Sequence, residues 1–180
     1  MTAIGYTLFD TAVGRCGIAW SERGISALML PEADDDATRK RLLRRIGNAP
    51  ETTPPASIQQ AVAAIQSLLQ GERTDLSNVA VDLDGMPDFN LQVYEIARKI
   101  PAGETLTYGD IAKRLGDVQL SRAVGQAMGQ NPVQIVVPCH RVVAAGGKTG
   151  GFSAPGGSQT KLKILAIERA KVGNAADLFD

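Results

Sequence analysis

Pro138, Cys139, His140 and Arg141 follow directly on an apolar run, Val133 to Val137, and His140 is the one histidine in 180 residues. The thiolate, not the thiol, is the nucleophile of cysteine chemistry, and a neighbouring base or positive charge raises its fraction at neutral pH. Any imidazole-assisted nucleophile in this chain therefore depends on His140. The dipeptide alone leaves two readings open. A cysteine after an apolar run is commonly a small buried hydrophobe and a lone histidine a packed residue, and neighbours along an extended chain point to opposite faces. The apolar run itself reads as a short strand that holds the pair still.

Composition sets the surroundings. A hydrophobic fraction of 44% over 180 residues suits one good domain or two small ones. Cys16 and Cys139 lie far apart, without a cysteine ladder or a secretory segment, so both read as free thiols in a reducing cytoplasm. No apolar run approaches the ~20 residues that span a bilayer, and no membrane association is expected. One histidine and two distant cysteines cannot build a zinc centre of the usual spacing; no metal is expected. The formal net charge is zero, but residues 1–87 carry 8 Lys and Arg against 11 Asp and Glu, and residues 88–180 carry 11 against 8. The mildly basic second half permits a nucleic-acid face without demanding one.

The first half reads as a β-meander, with runs Gly5 to Asp10, Arg15 to Ser21 and Ile25 to Leu30. Asp34, Asp35 and Asp36 open a helix that closes near Ile46 on Arg44 and Arg45, as the helix dipole favours. After Pro54 and Pro55 a second helix runs from Ser57 to Gln70, with Ile58, Val62, Ile65 and Leu69 on one face. Val79 to Leu83 alternates like a strand. Asp84 to Pro87 breaks the pattern, dividing the chain into an α/β domain, residues 1–85, and a mainly helical domain, residues 86–180.

In the second domain Phe89 to Ile100 is an amphipathic helix with Phe89, Val93, Ile96 and Ala97 inward. Thr107 caps a short helix, Tyr108 to Leu115, and a turn leads into another, Leu120 to Gln130. The pair resembles a helix-turn-helix, whose second helix enters a DNA groove. Ala123, Gly125, Ala127 and Gly129 either admit a phosphate chain or let two helices pack closely. Arg141 to Ala145 reads as a strand, Gly146-Gly147 as a turn, residues 150–157 as a glycine-rich loop, and Gln159 to Lys171 as a final helix with Leu162, Leu165 and Ile167 beside Glu168.

Ile100-Pro101-Ala102-Gly103, Thr107-Tyr108-Gly109, Arg122-Ala123-Val124-Gly125, Asn131-Pro132, Pro138-Cys139-His140-Arg141-Val142-Val143 and Gly151-Phe152-Ser153 together resemble the O6-alkylguanine-DNA alkyltransferases (methylated-DNA:protein-cysteine methyltransferases). The resemblance covers residues 89–170, and residues 1–84 match only in general outline. It implies a ribonuclease-H-like α/β domain followed by a winged-helix-like domain with a helix-turn-helix. The implied activity is direct repair: an alkyl group moves irreversibly, once per protein molecule, from O6 of guanine, or more weakly O4 of thymine, onto Cys139.

By the same resemblance, His140 takes the thiol proton through a bound water, Glu168 orients that imidazole, Asn131 braces the active-site turn and Tyr108 stabilises the departing base. Arg122 fills the stack after the nucleotide is rotated out, with Ala123 and Gly125 against DNA. Met128, Val142, Phe152 and Ser153 line the pocket. Phe152 stands where relatives commonly have tyrosine. The implied partner is double-stranded DNA carrying alkylated guanine or thymine, met by a monomer without a cofactor, in the cytoplasm or in a eukaryotic nucleus. A lesion-binding relative that does not react would lack the thiol, and a Cys-His hydrolase would leave the helix pair unexplained; retention of Cys139 favours transfer.

Overall fold

The structure, a computed structural model, describes residues 2–147 and 157–170. These fall into two compact units, one up to Gly85 together with Pro132–Val136, the other Met86–Asn131 together with the residues from Val137 onward.

The first unit is an α/β fold on an antiparallel sheet of β1 (Gly5–Thr11), β2 (Gly14–Ser21) and β3 (Gly24–Met29), in that order. Register runs from Gly5 opposite Trp20 to Thr11 opposite Gly14, then from Gly17 opposite Met29 to Ser21 opposite Gly24, with a bulge at Ala19/Trp20. Both hairpins are tight, and Gly24 (φ 147°) cannot be replaced cheaply: a Cβ there would lie 2.5 Å from the Ala80 carbonyl oxygen. That contact accompanies the Ile25 amide donating to Ala80 at 3.0 Å and the Asp82 amide donating to Ile25 at 2.7 Å. The stretch expected to be a strand over 79–83 is thus a single parallel bridge, Ile25 to Val81.

Pro50 to Thr52 covers the opposite sheet edge in the same way, through Tyr6. Short bridging segments satisfy edge groups that would otherwise template pairing with another chain. Helix α1 (Asp35–Ile46) starts on Asp34, whose side chain accepts from the Ala37 amide at 2.8 Å, so two of the three aspartates serve the helix dipole and the third its cap. It buries Leu42 against Ala3, Tyr6, Ala19 and Ala27. Helix α2 (Ala56–Leu69) buries Ile58, Ala61, Ile65, Leu68 and Leu69. Val62 lies on the flank of that stripe, half-buried, a rotation from the expected face.

The second unit is mainly helical. Helix α3 (Asp88–Arg98) turns Asn90, Val93, Tyr94 and Ala97 inward, with Phe89 and Ile96 half-buried. Polar residues hold these core positions because their atoms are satisfied: the Tyr94 hydroxyl donates to the Ala127 carbonyl at 2.6 Å, and Asn90 donates to Gln130 at 2.8 Å. Strand β4 (Leu106–Thr107) leads into α4 (Tyr108–Arg114), capped as expected by Thr107, whose hydroxyl accepts from Asp110 while Asp110 accepts from the Thr107 amide. One 3-10 turn, Val118–Leu120, connects to α5 (Ser121–Gly129).

Val133 to Val137 is not a strand. Ile135 adopts a left-handed conformation (φ 71°), which a β-branched residue adopts only under constraint, and pairing is limited to Leu28 with Val133 in the first unit. Cys139–Arg141 form a 3-10 turn, and β5 (Val142–Val143) follows, parallel to β4. Gly146 (φ 75°) supplies the expected turn. Helix α6 (Gly157–Ile167) closes on a left-handed Arg169 (φ 57°), with the Ala170 amide reaching back to Leu165 at 2.9 Å. Its buried face is Lys161, Ile164, Leu165 and Glu168, whereas Leu162 and Ile167 are half-buried.

Candidate active site

Cys139 and His140 occupy consecutive positions of a 3-10 turn, where successive side chains stand about 120° apart instead of on opposite faces. Cys139 sits in the wall of a cavity of about 680 Å³, with Tyr108, Ser121, Arg122, Gly125, Met128 and Ala144 also lining it. Tyr108 stands at the first position of α4 and Arg122 near the start of α5, so the two short helices supply most of that wall. Arg122 is exposed and Ala123 half-buried.

Burial pushes the Cys139 thiol up to about 11, against hydrogen bonding from Asn131 and the positive charge of Lys161, which pull it down. The resting group at neutral pH is therefore the protonated thiol, and a nucleophile must be made by removing its proton. Asn131 also donates to the Val137 carbonyl at 2.8 Å, tying the end of α5 to the turn before the thiol.

His140 is fully buried, and burial lowers its pKa despite the opposing pull of Glu168. Burial alone would raise the Glu168 carboxyl, but His140 and Arg141 outweigh it and bring it down to about 2. A carboxylate only accepts, so in the 3.0 Å contact it is Nε2–H of His140 that donates to Oε1 of Glu168. The neutral ring then carries its lone pair on Nδ1, an atom with no hydrogen bond among the described residues. Such an arrangement can accept a proton at Nδ1.

Arg141, quoted above only as part of its motif, and Lys161, not quoted at all, complete the cluster. Arg141 donates from Nε to Oε1 of Glu168 at 3.0 Å, from one terminal nitrogen to Oε2 at 2.6 Å and from the other to the Ile100 carbonyl at 2.7 Å. Lys161 is buried, with Nζ donating to the Val142 carbonyl at 2.6 Å and to the Tyr108 hydroxyl at 3.5 Å. A signal was available for the lysine: it precedes Glu168 by seven residues, two turns of the helix expected over 159–171, so if Glu168 faces inward Lys161 does too.

Of the residues expected at the site, Cys139, Tyr108, Arg122, Gly125 and Met128 meet at the cavity, with His140, Glu168 and Asn131 behind the thiol. Val142 is fully buried and is not among the described lining residues; its carbonyl receives Lys161 instead. Phe152 and Ser153 lie outside the described residues. The small residues of α5 are decided in part: a Cβ on Gly129 would meet nothing within 4 Å, and one on Gly125 would make only ordinary contact with the Tyr108 ring at 3.9 Å. Close helix packing requires neither glycine.

Both units match descriptions of one family. Residues 4–83 match the ribonuclease-like domain of 6-O-methylguanine DNA methyltransferase, and residues 88–170 match its DNA binding domain. The chain belongs to the 6-O-methylguanine DNA methyltransferase family. It is 33% identical over 177 residues to a methylated-DNA–protein-cysteine methyltransferase of Mycobacterium tuberculosis, covering 98% of this chain and 99% of that one. A methylated-DNA–protein-cysteine methyltransferase of Methanothermobacter thermautotrophicus is 30% identical over 152 residues, 84% of this chain and 78% of the relative. Among solved structures, Mycobacterium tuberculosis OGT in complex with DNA superimposes with a TM-score of 0.75 at 33% identity, covering 98% of this chain and all of the other.

Proposed function

We propose that the protein repairs double-stranded DNA by moving the alkyl group of O6-alkylguanine, and more weakly of O4-alkylthymine, onto the sulfur of Cys139. The observation that carries the reading is a protonated thiol in a cavity wall, backed by a neutral imidazole whose free lone pair is on Nδ1. In the reaction, Nδ1 of His140 takes the thiol proton through an intervening water while Glu168 steadies the imidazolium. The sulfur pair forms the S–C bond as the C–O6 bond breaks, and that bonding pair leaves with the guanine. Tyr108 donates a hydrogen bond to the departing base, which ends protonated once the imidazolium has returned its proton to water. The products are S-alkylcysteine and intact guanine, and the thioether ends the life of that protein molecule as a reagent.

An sp³ carbon needs a soft nucleophile and a stabilised leaving group, both supplied by side chains, so no cofactor enters. The alkylated oxygen is stacked inside a duplex, and the nucleotide must rotate out to reach the cavity. Arg122, exposed at the start of α5, fills the gap, and Ala123, Gly125 and Gly129 leave that helix free of bulk toward DNA. Met128 packs against the base. The protein acts as a monomer where the DNA is, in the cytoplasm or in a eukaryotic nucleus. Incubation with a duplex containing one O6-methylguanine, followed by intact-mass and peptide analysis, tests the reading. S-methylcysteine at position 139 is expected; its absence rejects the proposal.

A further inference from the structure

Helix α5 is poorly equipped to hold its own shape. It has nine residues, Gly125 and Gly129 among them, and no side chain caps its first turn. A helix this short is marginal on its own, and glycine weakens it further. Yet its end sets the place of Asn131, whose amide donates to the Val137 carbonyl at 2.8 Å and hydrogen-bonds the Cys139 sulfur. A side-chain amide has little reach, so both contacts depend on where the backbone at 131 stands. The last turn of α5 must therefore be fixed from outside the helix.

Helix α3 supplies that support. Tyr94 is fully buried, and its hydroxyl donates at 2.6 Å to the carbonyl of Ala127, one of the last four carbonyls that an α-helix leaves without regular partners. One turn earlier on the same face of α3, the buried Asn90 donates to the Gln130 side chain at 2.8 Å and to the Tyr94 hydroxyl at 3.4 Å. The two contacts grip α5 at residues 127 and 130, either side of the cavity-lining Met128 and immediately before Asn131. A phenylalanine would fill the space of Tyr94 without a hydroxyl to bury, and a buried hydroxyl is costly unless it is bonded.

We infer that Tyr94 is a positioning residue of the transfer reaction: its hydroxyl pins the last turn of α5 so that Asn131 presents its amide to the turn that carries Cys139. The inference deepens the alkyl-transfer reading and rests on it. A hydrogen bond donated to the sulfur favours the thiolate, so a displaced Asn131 leaves the thiol harder to deprotonate. Tyr108 of α4, His140 of the turn and Lys161 of α6 also bear on that sulfur, and a route through Asn131 has to be separated from theirs.

The test uses the full chain with Tyr94→Phe, which removes one oxygen and keeps the ring, alone and combined with Asn131→Ala. Two rates are followed at pH 7: single-turnover transfer from free O6-benzylguanine, and alkylation by iodoacetamide with Cys139 and Cys16 resolved by peptide mass. Burial holds both thiols near 11, so at this pH each alkylation rate follows the thiolate fraction. Tyr94→Phe is expected to slow both reactions of Cys139 roughly tenfold, to leave Cys16 unchanged, and to add nothing once Asn131 is alanine. A general loosening of the fold would instead expose both thiols and speed their alkylation. That outcome overturns the inference, as does an unchanged Cys139 rate or a full further loss in the double variant. Should Asn131→Ala fail to fold, the Cys139 and Cys16 rates of Tyr94→Phe decide alone. If wild type itself transfers no benzyl group, the transfer reading fails, while alkylation still reports whether Tyr94 bears on Cys139.

Discussion

Cys16, in the sheet of the first unit, and Cys139, in the second, are buried almost equally, 1% and 4% exposed, and burial pushes both thiols up to about 11. Around Cys16 the described polar neighbours are the Thr11 hydroxyl at 3.7 Å and the Gly14 carbonyl at 4.0 Å, with no base among them. Cys139 has Asn131 and Lys161 pulling its pKa down, an imidazole next in the chain and a cavity in front. The two sulfurs have the same resting acidity and differ in what happens when a proton must leave. On the proposed reading, reactivity belongs to the surroundings that can receive charge, since burial by itself disfavours the thiolate.

The largest effect that could break this comparison is a clean exchange of the two sites. Cys139→Ala should abolish transfer from methylated duplex completely, and Cys16→Ala should leave it unchanged, both read by intact mass; methylation of Cys16 in the first variant would overturn the assignment. Next, His140→Gln should slow transfer at pH 7 by about 100-fold or more with lesion binding retained in a gel-shift assay. A near-normal rate would mean that the thiol loses its proton by another route. Arg122→Ala should slow repair of a duplex roughly tenfold more than attack on free O6-benzylguanine, since only the duplex has a stack to fill; equal losses would remove that role.

Acid sensitivity sharpens the comparison. The Glu168 carboxyl goes from 4.5 to about 2 on folding, so its contribution to stability is complete above the unfolded value and is lost as pH falls through the folded one. Urea midpoints of wild type should therefore fall between those two pH values, and Glu168→Gln, already destabilised by an unpaired Arg141, should fall less steeply. The smallest effect is expected at Thr107→Ala, about 1 kcal/mol from the lost cap, again read by urea unfolding.

Local chemistry was legible in the sequence wherever one residue decides the outcome. The Thr107 and Asp34 caps, the three strands and the turn at Gly146 follow from side-chain and glycine rules that act within a few residues. Segments 79–83 and 133–137 were misjudged because strand pairing depends on a partner elsewhere in the chain: each finds one bridge, and Ile135 is held left-handed by surroundings that periodicity does not encode. The inward faces of α3 and α6 shifted for a related reason. Asn90, Tyr94 and Lys161 look like surface residues until their hydrogen-bond partners on distant segments are known. The Cys139–His140 dipeptide was readable as a candidate site; the charged residues around it, Arg141 and Lys161, were not.

The return of Pro132–Val136 to the first unit has a consequence for dissection. The polypeptide crosses between the units at Gly85, again after Asn131 and once more after Val136, so no single cut separates them. A fragment starting at Met86 would strip Val133, Ile135 and Val136 of their neighbours in the first unit and present them to water, at roughly 1.5–3 kcal/mol for each large side chain. The residues that lead up to Cys139 are thus anchored in the first unit, and trimming that unit should unmoor the proposed nucleophile.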